Sequence, residues 1–204
     1  MIRRIAAAAS RGEAGFSLIE VLISMLLVLL GVLGAVALQV QSHRSTYEGY
    51  ERAQAMVLVR DMLDKLYLYR NSIACLSFTT SADGSPYVGT AGTASLNAAT
   101  ACPSARATSA LLDWDAAVRG AAEQIGGRAA GGLLNARGCV SMSVDAATGM
   151  SVYTVAVAWQ GNAPLFRVVD DLARPAVACG QGLYGDEAQR RVMWQTLRLA
   201  QLKN

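Results

Sequence analysis

The residues in this chain that could do chemistry are a carboxylate inside an apolar stretch, four cysteines and a few scattered polar groups. The carboxylate is Glu20, within GFSLIEVLISMLLVLLGVLGAVAL, Gly15 to Leu38. An ionised group in hydrocarbon costs roughly 2.5–3.5 kcal/mol at a helix centre on insertion scales, so it tends to have a partner. The cysteines are Cys75, Cys102, Cys139 and Cys179, all beyond the apolar stretch and with no C-x-x-C pair among them. That spacing argues against zinc and thioredoxin-like chemistry, and an even number of cysteines argues for disulfides. Disulfides imply an oxidising compartment such as a periplasm. Of the connectivities open to four cysteines, Cys75–Cys102 with Cys139–Cys179 keeps each bridge within one structural segment.

The remaining groups support neither nucleophilic, metal nor phosphate chemistry. His43, the only histidine, lies beside Arg44 just past the apolar stretch, far from any cysteine. A serine nucleophile would therefore lack its base. GTAGTAS, residues 89–95, has the glycines of a phosphate loop but no preceding strand and no following lysine. Asp113 and Asp115, two apart on a helix, point to opposite sides and suit solvated positions near a helix start. Arg190 and Arg191, with Arg198 and Lys203, form the one basic cluster of the C-terminal part. Adjacent strand residues point to opposite faces, which favours a solvated strand edge over a contact with DNA or an acidic neighbour. No catalytic residue, metal site or cofactor is expected.

The elements that must position these groups begin with the N-terminal 38 residues. Arg3, Arg4 and Arg11 precede the apolar stretch against Glu13, and without that leader the chain of net charge +3 is close to neutral. A near-neutral body gives no electrostatic reason to expect nucleic acid. A secretory signal with AVA, Ala35 to Ala37, as its cleavage site would have a shorter apolar region than this one. A plain single-pass anchor fits the length, since about 20 apolar residues cross a bilayer. The basic leader would then stay on the cytoplasmic side. That reading leaves Glu20 and Gly15 unexplained.

The helical pattern continues past Leu38 without proline. Met56, Val59, Met62 or Leu63, Leu66 and Tyr69 or Arg70 recur at three- and four-residue steps, so one helix is expected from about 16 to 70. Gly31 and Gly34 either allow close helix packing or loosen the helix, and Gly49 is a further weak point. Residues 72–109 read as loop, with Pro86 and Pro103 as breakers. TSALLDWDAAVRGAAEQIGG reads as a short helix capped by Ser109 and ended by Gly126–Gly127, with Leu111, Leu112, Trp114, Val118, Ala122 and Ile125 as its packing face. CVSMSV and SVYTVAVAW around DAATG read as a β-hairpin, with Val140, Met142 and Val144 on one face of the first strand. Tyr153, Val155, Val157 and Trp159 share a face of the second. Leu165 to Asp170 is an edge strand or loop, and Val192 to Leu199 a closing strand.

GFSLIEV, behind a short basic leader, resembles the processing site of type IV prepilins. The resemblance implies cleavage between Gly15 and Phe16, N-methylation of Phe16, and pairing of Glu20 with the freed Phe16 amine of a neighbouring subunit during assembly. The order of long helix, disulfide-bearing loop, hairpin and final strand is similar to the pilin fold: α+β, a helix of about 16–70 on a small antiparallel sheet. GFSLIEVLISMLLVLLGVLG, VRDMLDKLY, YTVAVAW, Cys179 and RRVMWQT together resemble the minor pilins called type IV pilus modification protein PilV. That resemblance implies a low-abundance subunit that primes pilus assembly near the tip. It divides the chain into a leader (1–15), a transmembrane and filament-core half-helix (16–38), an amphipathic half-helix (39–71) and a disulfide-bearing head (72–204). Implied partners are other minor and major pilins, prepilin peptidase, an inner-membrane assembly platform and lipid. The implied location is the inner membrane with a periplasmic head, then the filament. A pseudopilin of a type II secretion system, a DNA-capturing minor pilin and an unrelated anchored domain are the alternatives.

Overall fold

A run of leucine, isoleucine, valine and methionine without proline is committed to helix, and its second half adds the three- and four-residue spacing of a helix with one buried face. In the computed structural model this becomes α1, Leu18–Leu68, followed by a 3-10 turn, Arg70–Leu76, kinked at Ser72. The structure describes residues 15–94, 104–121, 124–125, 128–129, 132–164 and 174–200. Residues 1–14 of the leader (1–15) lie outside them, as do Cys102, the 165–170 segment, and Ala122 and Gly126–Gly127. Contacts divide the chain into two units, Met1–Thr46 and Tyr47–Asn204.

The described part of the first unit is helix from Leu18 onward, and its large side chains from Phe16 to Val40 are exposed. The apolar stretch of α1 is long enough to cross a membrane, and none of it is buried inside the protein. His43 lies on the same helix and is exposed.

The second unit is α+β. β1 (Val88–Gly89), β4 (Arg137–Val144), β5 (Ser151–Gln160) and β6 (Arg190–Leu199) form one antiparallel sheet in the order β1-β4-β5-β6. Between β1 and β4 come α2 (Ala105–Val118) and a small two-stranded ladder of β2 (Gln124–Ile125) with β3 (Arg128–Ala129). The β4–β5 hairpin is in register from Arg137↔Ala158 to Val144↔Ser151. Its turn is fixed by Asp145, whose Oδ1 accepts from the backbone N–H of Ala147 at 3.0 Å and of Thr148 at 3.2 Å. β6 pairs with β5 along its whole length, Leu199↔Ser151 to Arg190↔Gln160.

One core lies on the helix side of the sheet. Ala55, Val59, Met62 and Leu66 of α1 meet Leu111, Trp114 and Val118 of α2 over Val140, Tyr153, Val155, Val157 and Trp159. Trp114 Nε1 donates to Leu58 O at 2.9 Å, which ties α2 to α1. The Trp114 ring fits because residue 138 is glycine: a Cβ there would meet the ring at 2.4 Å. A second cluster lies on the opposite face: Tyr87, Cys139, Ala156, Ala158, Ala176, Cys179 and Tyr184.

Several sequence expectations are corrected. α2 begins at Ala105, four residues before Ser109, with Ser104 as its cap, and ends at Val118 rather than at the glycine pair. Ser104 Oγ accepts from Ala107 N at 3.3 Å, the hydrogen bond an N-cap serine makes. Leu112 is exposed, and Met142 and Val144 are too, because β4 is covered only over its first five residues. β5 is buried on both faces, with alanines at 156 and 158 where the second cluster packs.

Candidate functional site

The N-terminal segment is built on the start of α1. Gly15 has no atom of the described residues within 4 Å of where a Cβ would stand, so no packing among them demands a glycine there. Phe16 is 83 % exposed. The helix starts two residues later, with Glu20 in its first turn, where a carboxylate complements the positive end of the helix dipole. The Glu20 backbone N–H donates to Ser17 O at 3.0 Å, and Ser24 Oγ donates to Glu20 O at 2.6 Å. The carboxylate itself is exposed and has no ion pair among the described residues. The arrangement is an apolar helix with one acid near its tip, one helical turn from residue 16. It suits pairing with an amine and offers no second group for acid–base catalysis.

Cysteine positions follow the sheet. A disulfide joins Cys139, on the second face of β4, to Cys179, after the 3-10 turn Pro175–Ala178, with Cα atoms 5.8 Å apart. It closes a loop with a sequence separation of 40, which constrains the unfolded chain by about 4 kcal/mol in the chain-entropy model. Cys75 is also disulfide-bonded, and Cys102, the partner expected for it, lies outside the described residues.

The polar residues of the second unit are structural in ways their spacing does not announce. Asp115 is buried, not solvated: its Oδ1 accepts from Gly89 N at 2.7 Å and its Oδ2 from Arg119 Nε at 2.9 Å. Gly89 can meet it because φ is +90° and a Cβ would strike Ala136 O at 2.5 Å. Asp113 is exposed. Arg190 and Arg191 do point to opposite faces, but both are buried, which corrects the solvated-edge expectation. Arg190 pairs with Glu187 and donates to Val177 O at 3.0 Å. Arg191 donates to Ala163 O at 2.6 Å and pairs with Glu48 of α1 at 3.4 Å.

One helical turn on from Glu48, Glu51 is buried and accepts from Trp159 Nε1 at 3.1 Å. Arg191 and Trp159 are cross-strand neighbours. Glu48 and Glu51 therefore hold the first turn of α1 within this unit to adjacent strands. Neither glutamate was singled out from the sequence, although Glu51 stands in phase with Ala55, Val59, Met62 and Leu66.

A cavity of about 420 Å³ lies between the last turns of α1 and the first half of α2, lined in part by Asp61, Asp64, Lys65, Arg106, Ser109 and Asp113. Asp61 is paired with Lys65. No residue in it is a histidine or cysteine, and no group of three metal-ligating side chains comes together among the described residues.

Residues 10–36 match a protein-family description, the Prokaryotic N-terminal methylation motif. No curated protein and no solved structure gives a match. The motif supports a type IV pilin-like or pseudopilin protein, a structural subunit rather than an enzyme. With the long apolar helix it supports a membrane-anchored pilin, processed by a prepilin peptidase and assembled with other pilins.

Proposed function

We propose that the chain is a minor pilin of a type IV pilus, of the kind called type IV pilus modification protein PilV, that helps prime assembly near the filament tip. The carrying observation is the methylation motif over residues 10–36, with Glu20 in the first turn of an exposed apolar helix. In this reading residues 1–15 are the leader. The peptidase cuts between Gly15 and Phe16, and Phe16 is N-methylated. The new amine is a cation at the tip of the helix, and Glu20 of a neighbouring subunit neutralises it. Both charges then leave the aqueous boundary together, which makes their meeting a register device between helices.

Residues 16–38 supply the transmembrane and later filament-core segment. Residues 39–71 carry the helix onto the head, and 72–204 form the disulfide-bearing head. The partners are other minor and major pilins, the inner-membrane assembly platform and lipid. The protein passes from an inner-membrane, periplasm-facing state into the filament. The burial of Arg190 and Arg191 removes the main cationic feature that a DNA-capturing role would use.

The test is Glu20→Ala in cells that make pili. The variant is expected to insert in the membrane at normal levels and to be depleted from sheared filaments. Normal incorporation would contradict the docking role. Co-purification with a secretion apparatus instead of pili would assign the chain to a pseudopilus.

A further inference from the structure

The sheet face away from α1 holds a cation with too few acceptors. Arg137 opens β4 and is only 7 % exposed. Its guanidinium lies 4.8 Å from the ring centroid of Tyr184 and 5.5 Å from that of Tyr87. Nη1 donates to Asn135 O at 3.2 Å, and the Tyr184 hydroxyl donates to the same carbonyl at 3.3 Å. Nε is buried and has no hydrogen-bond partner among the described residues. Among the described residues no carboxylate pairs with Arg137. Glu187, which acts electrostatically on Tyr184, is already taken by Arg190 and by Gly182 N.

Two donors crowd one carbonyl while a third is idle. Buried charges are ordinarily paired and hydrogen-bonded, and stacking on two rings compensates only part of that loss. With Nη1 turned to Asn135, Nε is left on the edge it shares with Nη2, beside the Tyr184 hydroxyl, which also bonds the guanidinium. That edge is the fork which takes a planar carboxylate through two parallel bonds. Burial pushes the Tyr184 phenol up from its ordinary value, so at neutral pH it remains a donor that an incoming carboxylate can also accept from.

We propose that Arg137, held between Tyr87 and Tyr184, is a carboxylate-binding site. The carboxylate comes either from an acidic residue or chain end of a partner protein or from a free small organic acid. The site does not depend on the pilin reading, because everything it uses lies within the head.

The test uses the full chain in detergent micelles, with arginine labelled with nitrogen-15, titrated with sodium acetate against sodium chloride at constant ionic strength. The Arg137 Nε–H resonance is assigned by through-bond correlation and by its loss in Arg137→Lys. Acetate is expected to move it downfield in a saturable way, and chloride is not. Tyr184→Phe, which removes the competing hydroxyl but keeps the ring, is expected to retain the response if Arg137→Lys does not fold. No movement with acetate, or equal movement with chloride, overturns the proposal. A photo-crosslinking side chain at exposed Leu183 in cells then separates the sources. An Arg137-dependent crosslink to another chain assigns the carboxylate to a protein partner. Acetate binding with no such crosslink assigns it to a free acid.

Discussion

One helix serves two solvents in this molecule. From Leu18 to Val40 its large side chains are exposed, and from Glu51 to Leu66 it buries a residue at every third or fourth step. The first part satisfies its own backbone but leaves its apolar surface to be covered from outside. The second is covered by α2 and the sheet of its own chain. Substitutions in the two parts should therefore fail in different assays: the first in membrane and assembly, the second in folding.

The largest effect should come from the covalent tie, which the first part lacks. Replacing Cys139 and Cys179 together by alanine is expected to lower head stability by about 4 kcal/mol, within the range for native disulfides. Thermal unfolding followed by tryptophan fluorescence on the full chain in detergent reads it, and an unchanged midpoint would remove the bridge from the account. Next comes a matched pair on the helix itself. Met62→Ala should cost about 2–5 kcal/mol, the range for a fully buried large side chain. Leu26→Ala, in the exposed part, should leave the same unfolding midpoint unchanged. Equal shifts for the two would erase the distinction.

Gly138→Ala is expected to cost about 1–3 kcal/mol by overpacking, because the new methyl would meet Trp114 at 2.4 Å. A perturbed Trp114 fluorescence signal with the fold retained would locate the strain.

The smallest effects are those of pH on the head. Hydrogen bonds from the Ser85 hydroxyl and backbone N–H hold the Asp83 carboxyl below the ordinary carboxylate value. The Ala147 and Thr148 backbone N–H groups do the same for Asp145, helped by Arg198. A depressed carboxyl contributes stability above its unfolded pKa of about 4, and that contribution is lost as pH falls through the lower folded value. Asp145→Asn should therefore flatten the acid limb of the pH–stability curve. Tyr184 acts in the opposite sense, since burial favours its neutral form. Its contribution is present below its unfolded pKa of about 10 and is lost as pH rises through the higher folded value. Tyr184→Phe should flatten the alkaline limb, and an unaltered limb would contradict the assignment.

The same contrast explains what could be read from the sequence. The long helix was legible because hydrophobic length and spacing are local signals. The β4–β5 hairpin was legible for the same reason, with DAATG supplying the turn that Asp145 fixes. The start of α2 is hidden because ARATSA has no apolar period, and the cap that decides it is Ser104, five residues before Ser109 and next to a proline. Asp115, Arg190 and Arg191 look like solvated charges in isolation. Each is buried because a partner distant in the chain meets it: Gly89 at β1, the Val177 carbonyl, and Glu48 on α1. Val144 and Met142 failed in the other direction, since alternation marks a face but not how far the cover over that face extends. In the N-terminal segment, Glu20 was conspicuous because an acid in an apolar run is a local anomaly. No ion-pair partner for it stands among this chain's described residues.

The account depends most on what the mature chain begins with. Intact mass and N-terminal sequencing of the protein extracted from membranes should give a chain starting at methylated Phe16, with residues 1–15 gone. A chain that keeps Met1, or one that begins at Leu38, would contradict it.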